Sequence, residues 1–225
     1  MTHDEFEELI KRQAIVFAPL DKKPADDHSS WMGKVTVARL GETWPEWNSK
    51  PMMPVCQLDL TQLELVPANL DDIALLTLFV AENDLPDGDQ NGYRWLLRAY
   101  QDIDGLIPLT PPDAEFPIKP VALVPEEPAD DFPCWEDVAV DVPEELDEEY
   151  YDLFENLDGI KIGGWPTLIQ GEIYWPQPEA QPQYVLQIDS LEESEWSWGD
   201  GGVAYIGRGT PAFARDVWVF DWQCM

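Results

Sequence analysis

GETWPEWNSKPMMPVCQLDL, from Gly41 to Leu60, returns as GEIYWPQPEAQPQYVLQIDS, from Gly171 to Ser190. The two stretches align at a constant offset of 130, which pairs Gly41 with Gly171, Glu42 with Glu172, Val55 with Val185, Gln57 with Gln187 and Asp59 with Asp189. The Trp44-Pro45 and Trp175-Pro176 pairs agree to within one residue. A strand-like run and the proline-bounded loop ahead of it recur together, which points to internal duplication rather than chance. The expected fold class is therefore α+β and strand-rich. Two related halves, about 30–105 and 160–225, each a small, mostly antiparallel sheet with a helix, pack as one compact unit over residues 1–225. A proline- and acid-rich crossing segment with a helix, about 108–158, joins them.

Working outward, the chain opens on a capping box, Thr2 with Glu5, ahead of Phe6, Leu9 and Ile10 at the spacing of one helical face. Pro19 and Pro24 are its breaks. Val35 and Val37 alternate with Lys34 and Thr36, so Ser30 to Leu40 reads as a half-buried strand. Val55 to Leu60, the apolar run Ala74 to Glu82, Tyr93 to Tyr100, Tyr184 to Ser190, Gly201 to Gly207 and Asp216 to Cys224 read as further strands between Gly and Pro turns. Residues 108–143 are dense in proline, and their scattered Phe116, Ile118, Val121, Leu123, Val124, Phe132 and Trp135 predict an extended segment lying on the surface and crossing between halves. Pro143 opens a predicted helix, PEELDEEYYDLFENLDG, with Leu146, Tyr150, Leu153 and Phe154 as its buried stripe and Gly159 past its end.

Charge is unevenly spread. The 225 residues carry 45 acids and 13 bases, a formal charge of −32. Residues 1–110 hold 19 acids and 9 bases, leaving 26 acids and 4 bases for residues 111–225, or −10 against −22. Such a surface repels nucleic acid and anionic membrane and steers in a basic protein. At 44% hydrophobic residues with 11 Trp, the chain has apolar area enough to fold. Three widely spaced cysteines, Cys56, Cys134 and Cys224, show no metal or disulfide spacing. No signal-like or eighteen-residue apolar stretch occurs, so the expected location is cytoplasmic.

SSWMGKVTVARLGETWP, PMMPVCQLDL, PLTPP, KIGGWPTLIQG, YVLQIDS and WGDGGVAYIG followed by WQC together resemble the YwqG-like family of uncharacterised bacterial proteins, from about Gly33 to the end. The most specific parts are KIGGWP (Lys161 to Pro166), LQID (Leu186 to Asp189) and WGDGG (Trp198 to Gly202). The resemblance implies an α+β fold with repeated halves and implies no activity. The first half departs from the pattern, lacking a Gly-Gly-x-Pro ahead of Trp44-Pro45.

Catalytic, metal and cofactor sites are not expected. His3 and His28 stand apart from any Ser or Cys motif, WGDGG lacks phosphate-loop spacing, and the acid-rich DLPDGDQNG lacks the calcium-loop pattern. The Trp-Pro loops read as core. A hydrolase-type enzyme acting on a small molecule or glycan through a carboxylate pair is the enzyme alternative, and a general interaction module is the blander one. The leading expectation is a non-enzymatic acidic protein that neutralises a basic partner, specifically a cytoplasmic immunity protein for a cationic bacterial toxin domain. Its partner-binding residues would be Asp130, Asp131, Trp135, Glu144, Glu145, Glu148, Glu149 and Asp152.

Overall fold

The computed structural model describes residues 1–21, 26–210 and 212–225. Helix α1 (His3–Ile10) begins at Thr2, where the capping box forms as the sequence predicts. Then follow β1 (Arg12–Leu20), β2 (Trp31–Met32), β3 (Val37–Arg39), β4 (Glu46–Trp47), β5 (Lys50–Pro51), β6 (Met53–Asp59), β7 (Leu75–Val80), β8 (Trp95–Tyr100), β9 (Leu106–Pro108), β10 (Val121–Pro125) and β11 (Ala129–Asp131). Two single-turn helices, α2 (Glu144–Asp147) and α3 (Tyr150–Leu153), precede β12 (Ile160–Gly163), β13 (Gln183–Asp189), β14 (Val203–Thr210) and β15 (Phe213–Gln223). Pro24 lies outside the described residues.

These strands overturn the expected pair of small sheets. One antiparallel sheet runs β15-β14-β13-β12-β1-β10-β2-β6-β7-β8, with β11 also paired to β1; β3 with β9 and β4 with β5 form two small ribbons. The sheet curls until its end strands meet: Trp95 of β8 lies 5.4 Å from Phe220 of β15, and Trp222 donates its indole N–H to Pro86 O at 2.9 Å. Arg208 of β14 reaches across to Asp72 with two bonds of 2.6 and 2.9 Å. One core fills the curl, joining Leu78, Val80 and Trp95 to Ile188, Ile206 and Phe220.

Two segments misread from sequence make the sheet continuous. RQAIVFAPL, directly after α1, is the central strand β1: β12 pairs with residues 14–17 on one edge, while β11 and β10 pair with 12–14 and 17–20 on the other. VALVP, inside the supposed surface crossing, is β10, pairing with both β1 and β2. A strand with both edges free in water would leave its N–H and C=O groups unpaired by protein. Pairing β1 to both halves satisfies them and fuses the halves. Ser30 to Leu40, expected as one strand, splits into β2 and β3 in different sheets.

Nor does each half own a helix. All three helices gather in one satellite cluster of Phe6, Ile10, Phe132, Leu146, Tyr150 and Phe154, with Tyr150 Oη donating to Pro133 O at 2.9 Å. The expected helix over 143–159 breaks between α2 and α3, leaving Leu153 40% exposed. Glu144 with Glu148 and Glu145 with Glu149 are like-charge pairs at i,i+4, which disfavour a continuous helix.

The repeated motif still has a counterpart in the interior. β6 and β13 are each third from an end of the sheet, and Gln57 and Gln187 on them are fully buried. Gln57 Oε1 accepts from Thr36 N at 3.0 Å while its amide donates to Ser29 O at 2.9 Å. Gln187 Oε1 accepts from Thr167 N at 2.9 Å while its amide donates to Gly159 O at 3.0 Å.

The most deeply buried ion pair among the described residues ties β11 to β12. Lys161 and Asp131 have 0% exposed side chains and meet at 3.0 Å, and Lys161 Nζ also donates to Leu157 O. Asp131 further accepts from Leu157 N and Trp165 N, both at 2.7 Å. Burial pushes the Lys161 ammonium down, against the upward pull of Asp131. Removing one member of a buried pair strands the other charge and costs about 3–5 kcal/mol. Lys161→Met is therefore expected to lower the unfolding free energy by about that amount in urea titration; a loss under about 1 kcal/mol would show that the backbone donors alone hold Asp131.

Candidate functional site

Two neighbouring features carry exposed chemistry. The first is the acidic surface of α2 and α3. Glu144, Glu145, Glu148, Glu149 and Asp152 are all exposed, as are Asp147 and Glu155, and among the described residues none of them enters an ion pair. Apolar side chains stand among them: Tyr151 is 69% exposed, and Trp135 37% exposed with its ring edge-on to Tyr150 at 5.2 Å. Asp130 is exposed but engaged, accepting from the Gln13 amide with Lys11 at 3.9 Å. Asp131 corrects the sequence-derived set. It lies wholly inside, bound to Lys161, and offers no carboxylate to a partner.

Within residues 111–225 no basic side chain is left over to neutralise this surface. All four basic residues of 111–225 are already paired: Lys119 with Glu195, Lys161 with Asp131, Arg208 with Asp72, and Arg215 with Asp71 and Asp72. The two arginines spend their charge on acids of the other half.

The second feature is a cleft of about 270 Å³ lined by Arg12, Asp137, Trp165, Glu172, Trp175 and Tyr184 among others. Trp165 and Pro166, the end of KIGGWP, line it, and the two glycines before them set their position. Gly163 and Gly164 both have positive φ, +76° and +64°, and a Cβ on Gly164 would lie 2.0 Å from Asp131 Oδ2. Only glycine lets the backbone turn this tightly over the buried carboxylate. The turn delivers Trp165, whose backbone N–H binds Asp131 and whose indole N–H donates to Ile10 O at 2.7 Å. The Arg12 guanidinium lies 3.3 Å from the Trp165 ring centroid, a cation–π contact. Its one side-chain hydrogen bond goes to Gly164 O at 3.5 Å, and among the described residues it has no carboxylate within ion-pair distance.

Asp137 ends the short helical turn Trp135–Asp137, and its carboxylate makes no hydrogen bond among the described residues. Burial pushes its titration above the ordinary carboxylate range; Arg12 pulls it down, and Glu172 and Glu136 push it up further. Glu136 also raises the Tyr151 hydroxyl, behind the effect of burial, so the cleft adjoins the acidic surface.

Sequence reading missed the cleft. The Trp-Pro loops, expected as core, are only half-buried at Trp44 and Trp175, and each lines a depression. The Trp44 counterpart is apolar, with Trp44 stacked on Phe116 at 6.0 Å among Leu109, Pro111 and Pro112. Trp95 and Trp198, by contrast, are true core, the latter inside WGDGG. Asp84 and Asp89 of the acid-rich loop hold Arg94 at 2.9 and 2.6 Å. His3 is exposed against Phe154, and His28 is half-buried.

Because folding raises the Asp137 pKa, its ionisation opposes folding. That cost is absent below the ordinary aspartate pKa, about 3.9, and complete once pH exceeds the raised value. Asp137→Asn is thus expected to raise the melting temperature relative to the wild type at pH 7 and to leave it unchanged at about pH 3; equal effects at both pH values would exclude this origin.

Among the described residues, no helix is long and apolar enough to cross a membrane. No curated protein matches the chain. A family model described as "Domain of unknown function (DUF1963)" matches residues 33–224, which takes in every strand of the sheet but β1 and β2, the acidic surface and all of the cleft but Arg12, and the chain belongs to that family.

Proposed function

We propose that this chain is a non-enzymatic binding protein that captures a cationic protein on the α2–α3 surface, and that the partner is a bacterial toxin domain which it neutralises in the cytoplasm. The carrying observation is the combination of seven unpaired carboxylates with exposed Tyr151, Leu153 and Trp135 in a region whose own cations are all engaged elsewhere. Carboxylates of this kind speed encounter with a positive partner, and central aromatic side chains slow its release. Within the family, we place the chain with the YwqG-like proteins on KIGGWP, LQID and WGDGG; that grouping adds no activity.

A second reading has one observation in its favour. Asp137, with its raised titration, shares a cleft with Glu172, as an acid–base pair acting on a glycan would require. Turnover of a substrate, lost in both Asp137→Asn and Glu172→Gln, would establish that reading over the first.

For the binding reading, the test partner is any basic toxin domain that sequencing finds encoded beside this gene. Replacing Glu144, Glu145, Glu148 and Glu149 together by Gln is expected to slow association about tenfold or more at low salt and to flatten its salt dependence. Tyr151→Ala is expected to act on dissociation instead. The absence of a basic toxin domain beside the gene, or an unaltered salt dependence, would refute the assignment.

A further inference from the structure

We infer that the cleft between the start of β1 and the Trp175-Pro176 loop is a subsite for one cationic side chain of the partner, an arginine or a lysine, and that Arg12 is the intrachain group lying in its place. The inference rests on the binding reading above and identifies where that partner is anchored.

Three observations meet in the cleft. Trp165, Trp175 and Tyr184 supply aromatic faces, which attract a cation through their π systems. Asp137 and Glu172 supply carboxylates without hydrogen-bond partners among the described residues, so the cleft holds acceptors that its own structure leaves unused. Arg12 already shows the fit, stacked at 3.3 Å on Trp165 yet held by a single long bond to a carbonyl. An arginine bound so loosely can swing out, and a guest guanidinium or ammonium can take both the ring faces and the two carboxylates.

Size and position agree. At about 270 Å³ the cleft has room for a single side chain. Glu136 and Trp135 link it to the acidic surface, so a basic protein drawn to α2 and α3 would present a side chain beside its mouth. The Trp44 depression at the other Trp-Pro loop has aromatic and proline walls with Asp27 as its one carboxylate, which makes it the poorer cation site.

The test uses the full chain and needs no partner protein. Nα-acetyl-arginine amide is titrated while the indole N–H resonances of Trp165 and Trp175 are followed by NMR, with acetate and N-acetylglucosamine as anionic and neutral comparators. Wild type is expected to bind the arginine probe weakly, on the order of millimolar, as befits one side chain. Arg12→Gln is expected to tighten binding several-fold by vacating the site. Lys11→Gln, which changes net charge equally from outside the cleft, is expected to leave it near the wild-type value. Asp137→Asn in the Arg12→Gln background is expected to weaken binding by about tenfold. Weaker binding in Arg12→Gln, equal tightening in Lys11→Gln, or a stronger response to acetate or N-acetylglucosamine than to the arginine probe would overturn the assignment. Any of these results would leave the α2–α3 surface untested, whereas a toxin indifferent to Glu144, Glu145, Glu148 and Glu149 would refute the binding reading without touching the probe titration.

Discussion

The fold depends on the requirement that β1 be hydrogen-bonded along both edges. Nine residues directly after the first helix run through the middle of the sheet, and the strands that cover them come from distant parts of the chain, β10 and β11 on one side and β12 on the other. The buried Asp131–Lys161 pair locks β11 and β12, the two strands flanking the first half of β1, into one arrangement. An ion pair in so dry a place contributes little net stability, because desolvation offsets much of the attraction. Its effect is specificity of register: Asp131 also binds the N–H groups of Leu157 and Trp165, so a shift of either strand would leave several polar groups buried and unsatisfied.

The same lock positions the cleft. Arg12 opens β1, Trp165 follows β12, Asp137 lies six residues beyond Asp131, and the loop of residues 171–176 leads into β13. Gln223 of β15 fastens the start of that loop through bonds to the backbone of Ile169, Gln170 and Gly171. The cleft walls are thus backed by sheet and by buried hydrogen bonds, a setting that holds aromatic faces and carboxylates in place without a ligand.

What could be read from sequence followed the local period. Strands β6, β7, β13, β14 and β15 announced themselves by alternation or continuous apolar runs, and the structure has them within a few residues of the expected limits. β1 did not, because no turn residue separates it from α1 and its inward and outward positions do not alternate cleanly. β10 was hidden by the prolines around it, since proline density reads as loop whatever tertiary pairing does with VALVP. With those two strands misread, the repeat could only be drawn as two separate sheets. The acidic surface was visible in composition, apart from Asp131, whose burial depends on a lysine thirty residues away. The cleft was out of reach for the same reason: its residues come together only through the register that pairs Ala14 with Gly163.

The broken helix bears on the proposed function as well as on the fold. Leu146, Tyr150 and Phe154 are spaced for a continuous helix and all three are buried, so packing favours one. Repulsion between carboxylates one turn apart opposes it, and neither short helix has a side-chain cap or a basic residue in its last turn. A lysine at either Glu148 or Glu149 would relieve that conflict locally while leaving the satellite core intact. Under the binding reading proposed above, a local sequence that works against its own secondary structure beside the exposed Tyr151 has a use that solubility alone does not give it. A cationic partner laid across α2 and α3 would screen the repulsion, so binding and helix continuity should reinforce each other, with the ordering of residues 144–154 contributing to the affinity.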